Sequence, residues 1–153
     1  MTAQFRKPIP FILAILAFGI VASIRADDPK PKKDVPTTMD GKWAMTSGEM
    51  AGTAFPAEVT KSLTLILDKG KYTVKSPGPD DLGTTTIDAT KTPKELDIKG
   101  TEGPNKGKTI LAIYELDGDT LNFCYDLEGK KRPTEFKTAK ESKQFLATYQ
   151  RVK

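Results

Sequence analysis

Asp117-Gly118 lies between two runs of alternating apolar residues in the tract Ile113–Tyr125, and this arrangement constrains the chain more than any other. Asp-Gly supplies the left-handed backbone that a two-residue turn needs, so the tract is predicted to be a tight β-hairpin. With the loop at 117–118, Tyr114 opposes Leu121, Ala112 opposes Phe123 and Ile110 opposes Tyr125. Glu115 then opposes Thr120, Ile113 opposes Asn122 and Leu111 opposes Cys124. Side chains alternate between faces along a strand, so the first set forms one apolar face. The second face also carries Leu111, Ile113 and Cys124, which calls for a covering loop or helix.

Lys69-Gly70 gives a second hairpin by the same logic. Leu67 faces Tyr72, Leu65 faces Val74 and Leu63 faces Ser76, while Thr64, Ile66, Asp68, Lys71, Thr73 and Lys75 share the other face. A slip of one residue would destroy this sorting. Further strands are expected at Lys42–Glu49, Gly83–Ala89, Glu95–Gly100 and Phe145–Arg151. The segments between them, Pro77–Asp81, Lys91–Pro93 and Gly103–Gly107, have turn chemistry. Ala54–Lys61, entered at Pro56, is the one short helix. About eight strands in sequential hairpins make an all-β protein, and an antiparallel up-and-down barrel closes such a meander most directly. A two-sheet sandwich is the alternative.

Residues 1–26 have the plan of a secretory signal peptide: basic Arg6-Lys7, an apolar run from Phe11, and a cleavage site ending at Ala26. The apolar run to Ile24 is short of the ~20 residues that span a bilayer, so a retained anchor is the lesser reading and no stable membrane span is expected after cleavage. The full chain has 24 Lys+Arg and 20 Asp+Glu, a net charge of +4. Arg6, Lys7 and Arg25 leave with the signal, so the mature chain carries 21 basic against 20 acidic residues, or +1. That balance gives no electrostatic footprint for nucleic acid. Residues 27–38 are dominated by proline and charge and are expected to be a disordered tether. Residues 39–153 then form one domain, exported to the periplasm, the cell surface or the exterior. The one cysteine excludes an intrachain disulfide framework.

Gly41-Lys42-Trp43 opens the first strand and Arg151 ends the last. This pairing looks like lipocalins and their relatives, and the resemblance implies that the arginine packs across the tryptophan and closes the barrel floor. A closer resemblance covers nearly all of residues 39–153. It is carried by Gly41-Lys-Trp43, Phe55-Pro-Ala-Glu58, Thr92–Asp97, Gly103–Lys108, Ile113–Leu121, Cys124, Arg132-Pro-Thr-Glu-Phe136 and Arg151. In these elements the chain resembles a family of small secreted domains abundant in planctomycete bacteria. The resemblance implies a secreted lipocalin-like domain and brings with it no reaction, ligand or catalytic residue.

The chain has no histidine, which removes Ser-His-Asp and Cys-His catalysis and the usual zinc site. Cys124 sits between Phe123 and Tyr125 and is expected to be a buried structural cysteine. Gly103–Thr109 resembles a phosphate loop, but it is one residue short of the pattern and leads into a strand. Asp117-Gly-Asp119 lacks the further oxygen ligands of a calcium loop and is explained by the hairpin turn. Asp80-Asp81 is expected to be a solvated loop tip. Arg132 is expected to anchor its loop, through loop carbonyls or Glu135, or to face an anionic group. No catalytic residue, metal or cofactor is expected, so the protein is not expected to be an enzyme; an enzyme using carboxylates and Arg132 is the weakest reading.

The inward set is Trp43, Leu65, Leu67, Tyr72, Val74, Tyr114, Leu121, Phe123 and Tyr125. These residues either line a cavity for a small hydrophobic molecule or fill the barrel as a solid core. The first case is a secreted non-catalytic binding domain, with Trp43 and Arg151 closing the barrel. The second is a protein-interaction module with a packed interior. An apolar cavity of about 300 Å³ or more favours the binder.

Overall fold

A computed structural model describes residues 38–153. The expected signal peptide, and all but the last residue of the expected tether, lie outside the described residues. Strand β1 (Gly41–Met50) leads through the two-residue β2 (Thr53–Ala54) into helix α1 (Ala57–Lys61). Then come β3 (Thr64–Asp68), β4 (Lys71–Lys75), β5 (Asp81–Asp88), β6 (Lys94–Glu102), β7 (Thr109–Asp117), β8 (Thr120–Asp126) and β9 (Gln144–Arg151). Each strand from β3 to β9 pairs antiparallel with its sequence neighbour, and β1 pairs with both β3 and β9. The result is a closed eight-stranded up-and-down barrel. β2 is an extra strand on β1, at Glu49 and Met50. It takes the beginning of the expected helix, so α1 starts only after Pro56, whose φ of −58° suits a helix entrance.

The β3–β4 hairpin pairs Leu65 with Val74 and Leu67 with Tyr72. Lys69 and Gly70 both have positive φ, 46° and 76°, as a type I′ turn requires. The β7–β8 hairpin differs from its predicted register. Tyr114 opposes Phe123, Ala112 opposes Tyr125 and Leu116 opposes Leu121. The loop is Gly118-Asp119, one residue later than expected, with the glycine at the first central position at φ 58°. A primed turn with glycine first explains the choice, since that position demands a left-handed backbone. Moving the loop by one residue moves every cross-strand partner by two, so each side chain keeps its face. Cys124 therefore opposes Ile113 and not Leu111, and Asn122 opposes Glu115.

Alternation sends one face of every barrel strand inward. Trp43, Leu96, Leu121, Phe123, Ala147 and Tyr149 form the middle of the core, almost wholly removed from water. On the opposite side of the β7–β8 hairpin, Ile113 and Cys124 are just as buried. The connection between β8 and β9, residues 127–143, covers them: the Cys124 thiol lies 3.5 Å from the carbonyl oxygen of Lys137. Asp126 holds the start of this connection, accepting hydrogen bonds from the backbone N–H groups of Glu128, Lys130 and Lys131 at 3.2, 2.7 and 2.6 Å.

Candidate functional site

One end of the barrel is closed. The Arg151 guanidinium carbon sits 4.1 Å from the centre of the Trp43 ring, and the two residues are directly paired across β1 and β9. Arg151 also donates from Nη1 to the Asp40 carbonyl at 2.6 Å and from Nη2 to the Thr38 carbonyl at 2.8 Å. The Trp43 indole donates to the Met39 carbonyl at 2.9 Å. Asp119, in the β7–β8 turn, lies 3.4 Å from Arg151 Nε and 3.1 Å from Lys153 Nζ. Asp119 is thus committed to closing this end.

The other end opens into a cavity of about 330 Å³. All eight barrel strands contribute to its wall, which places it inside the barrel. Phe55, Leu63, Pro79, Pro104, Asn105 and Leu127 come from connections at that end and form its mouth. Of the predicted inward set, Leu65, Leu67, Tyr72, Val74, Phe123 and Tyr125 line it. Trp43 and Leu121 pack below it as solid floor. Tyr114 is buried on the inward face of β7 but lines a second cleft, of about 680 Å³, at the Trp43–Arg151 end. That cleft is larger and shares Leu67 and Thr85 with the first cavity, but much of its rim is formed by the hairpin tips carrying Lys69, Lys71, Asp117 and Gly118.

An aromatic ladder runs from the mouth inward. Phe55 stacks on Phe145 at 5.3 Å between ring centres, Phe145 on Tyr125 at 5.8 Å, and Tyr125 on Phe123 at 5.3 Å. Tyr149 meets Phe123 edge-on at 6.0 Å. Tyr125 and Tyr149 are both buried inside the barrel, and burial pushes both phenols well above their ordinary pKa. Tyr149 and Phe145 belong to β9, which is joined to β8 by a long connection. Without a short hairpin loop to set its register, the sequence reading missed both, although Phe145, Ala147 and Tyr149 show the period of two.

Asp81 is a correction. It is no solvated loop tip: it begins β5, is 8% exposed and lines the cavity opposite Val74. Its carboxylate accepts from the Tyr72 hydroxyl at 3.3 Å and from the Asn105 side-chain amide at 2.6 Å through Oδ2, and from the Asn105 backbone N–H at 3.1 Å through Oδ1. Burial, then the neighbouring Asp81 charge and hydrogen bond, push the Tyr72 phenol up. The Gly103–Gly107 loop, which has turn chemistry, supplies Asn105 to this cluster.

Arg132 is a second correction in its partners. It donates from Nη1 to the carbonyls of Leu96 and Ala112, at 3.0 and 2.7 Å, and pairs with Glu95 at 3.2 Å and with Asp97. It therefore ties the β8–β9 connection to the outer face of β6 and β7. Glu135 pairs with Lys137 instead. These contacts occupy the guanidinium outside the barrel, away from the cavity. Among the described residues, no group of three or more His, Cys, Asp or Glu is placed to hold a metal ion, and no helix is long and apolar enough to cross a membrane.

Comparison with protein-family models finds no match to the chain, and comparison with curated protein sequences finds none.

Proposed function

We propose that this chain is an exported, non-catalytic binding domain of the lipocalin-like kind suggested by its resemblance to the planctomycete family, and that it holds a small apolar molecule inside the barrel. The observation that carries this reading is the cavity of about 330 Å³ with its aromatic ladder. It falls within the ~300–1,000 Å³ of small-molecule pockets, and Asp81, Tyr72 and Asn105 form one polar cluster in its wall, as an orienting set would. An interaction module with a packed interior has no use for such a space. No reaction belongs to this reading, because Cys124 is buried outside the cavity and Arg132 is occupied on the outer surface.

A neutral environment-sensitive dye tests it. The wild-type domain is expected to bind the dye with enhanced fluorescence. Val74→Phe, which extends a side chain into the cavity, is expected to reduce dye binding while leaving the melting temperature nearly unchanged. No dye binding by the wild type, together with a loss of about 1–3 kcal/mol in Val74→Phe from overpacking, would hand the function to the interaction module.

A further inference from the structure

Asp81 is the one charged residue among the described residues lining the cavity. Its hydrogen-bond donors, Tyr72 and Asn105, are both neutral. Among the described residues it makes no ion pair; the adjacent Asp80 is the one that takes Lys75. A carboxylate removed from water without a counter-charge is costly, and a partner of opposite charge offsets that cost. Across the cavity from Asp81, β8 and β9 contribute the rings of Phe123, Tyr125, Phe145 and Tyr149, and aromatic faces attract organic cations through their quadrupoles. An anionic head group would meet Asp81 as a like charge in a poorly solvated space.

Resting on the binding reading above, we propose that the preferred ligand is a cationic amphiphile: an apolar body carrying one ammonium group, oriented by Asp81. The ammonium would sit beside the Asp81 carboxylate near the mouth, with the apolar body along the aromatic ladder. The cavity would reject fatty-acid anions of the same length.

The test is displacement of a neutral fluorescent dye from the domain by decylammonium, 1-decanol and decanoate at neutral pH. These three share a chain and differ in head group. Decylammonium is expected to displace the dye at a concentration about tenfold or more below that of decanoate, and below that of 1-decanol. Asp81→Asn is expected to abolish the advantage of decylammonium over 1-decanol, read as the ratio of their displacing concentrations within that variant. Should Asp81→Asn fail to fold, the wild-type ranking and its salt dependence still decide. A preference made inside the barrel persists at high ionic strength, because buried charges are screened weakly. Decanoate displacing as well as decylammonium overturns the proposal, as does an ammonium preference that vanishes in salt or survives in folded Asp81→Asn. If 1-decanol binds and no preference is seen, the cavity reading stands and this inference alone falls. If neither dye nor 1-decanol binds, both fall.

Discussion

Gly41 shows how one missing side chain permits a whole contact. Its φ of 136° lies in a region that side chains disfavour, and a Cβ there would come within 2.8 Å of Arg151 Nη1. The glycine of Gly-x-Trp thus leaves room for the guanidinium that lies over Trp43. Gly41→Ala is expected to lower stability by about 1–3 kcal/mol through backbone strain and loss of that seat. Arg151→Ala is expected to lower it by about 0.5–2 kcal/mol for the cation–π contact, with red-shifted tryptophan emission. In Gly41→Ala/Arg151→Ala the two losses should be less than additive, since the clash needs both partners. Thermal or urea unfolding of the three variants measures this, and strict additivity would show that Gly41 serves its backbone alone. The Trp43–Arg151 pair was legible through the resemblance to lipocalins, which implied that an arginine of the last strand packs across the tryptophan of the first. Asp81 was not: an aspartate after Pro-Gly-Pro-Asp has the composition of a loop, and only the pairing of β4 with β5 turns its carboxylate toward the interior.

The connection between β8 and β9 is the least regular part of the fold and the least legible. The apolar outer residues Ile113 and Cys124 demanded a cover, but residues 127–143 have no period that would place them as one. What fixes them is individual polar contacts: Asp126 to three backbone N–H groups, Arg132 to two strand carbonyls and two carboxylates, and Thr138 to Glu49. The cover and its clamp should therefore fail together. Native Cys124 is expected to be inert to thiol reagents, because it is buried and burial pushes its thiol pKa up. Arg132→Ala is expected to make Cys124 react while the strands stay folded, as judged by far-ultraviolet circular dichroism. Continued inertness in a folded Arg132→Ala would mean that packing alone holds the cover. The hairpins were easier. Period-two alternation assigned their faces, and the turn residues located their loops to within one position. The turn type, which sets the final register, depends on which residue takes the positive φ.

All four tyrosines of the chain, Tyr72, Tyr114, Tyr125 and Tyr149, have phenols pushed above the ordinary value near 10, in each case chiefly by burial. Below that value the tyrosines are protonated whether the chain is folded or not, and their contribution to stability is fully present. Above it, the unfolded chain releases phenol protons that the folded barrel retains, so stability falls as pH rises toward the folded values. The domain is expected to unfold cooperatively in alkali at pH above 10, with tyrosinate absorbance appearing in step with loss of strand signal. Phenol ionisation preceding any unfolding would show that water reaches the interior freely. The closed architecture was readable as a meander of hairpins, whereas the hollow inside it was not, because cavity-lining and core-filling side chains obey the same alternation. The closure of β1 on β9 also has a practical side. Thr38 and Arg151 meet by a 2.8 Å hydrogen bond at the floor, and Lys153 lies just beyond. Thr38 and Lys153 therefore share one pole of the barrel, and the mouth occupies the other. Held by its carboxyl end to a bead, a chip or another polypeptide, the domain stands like a cup on its base, with the rim turned to the solution.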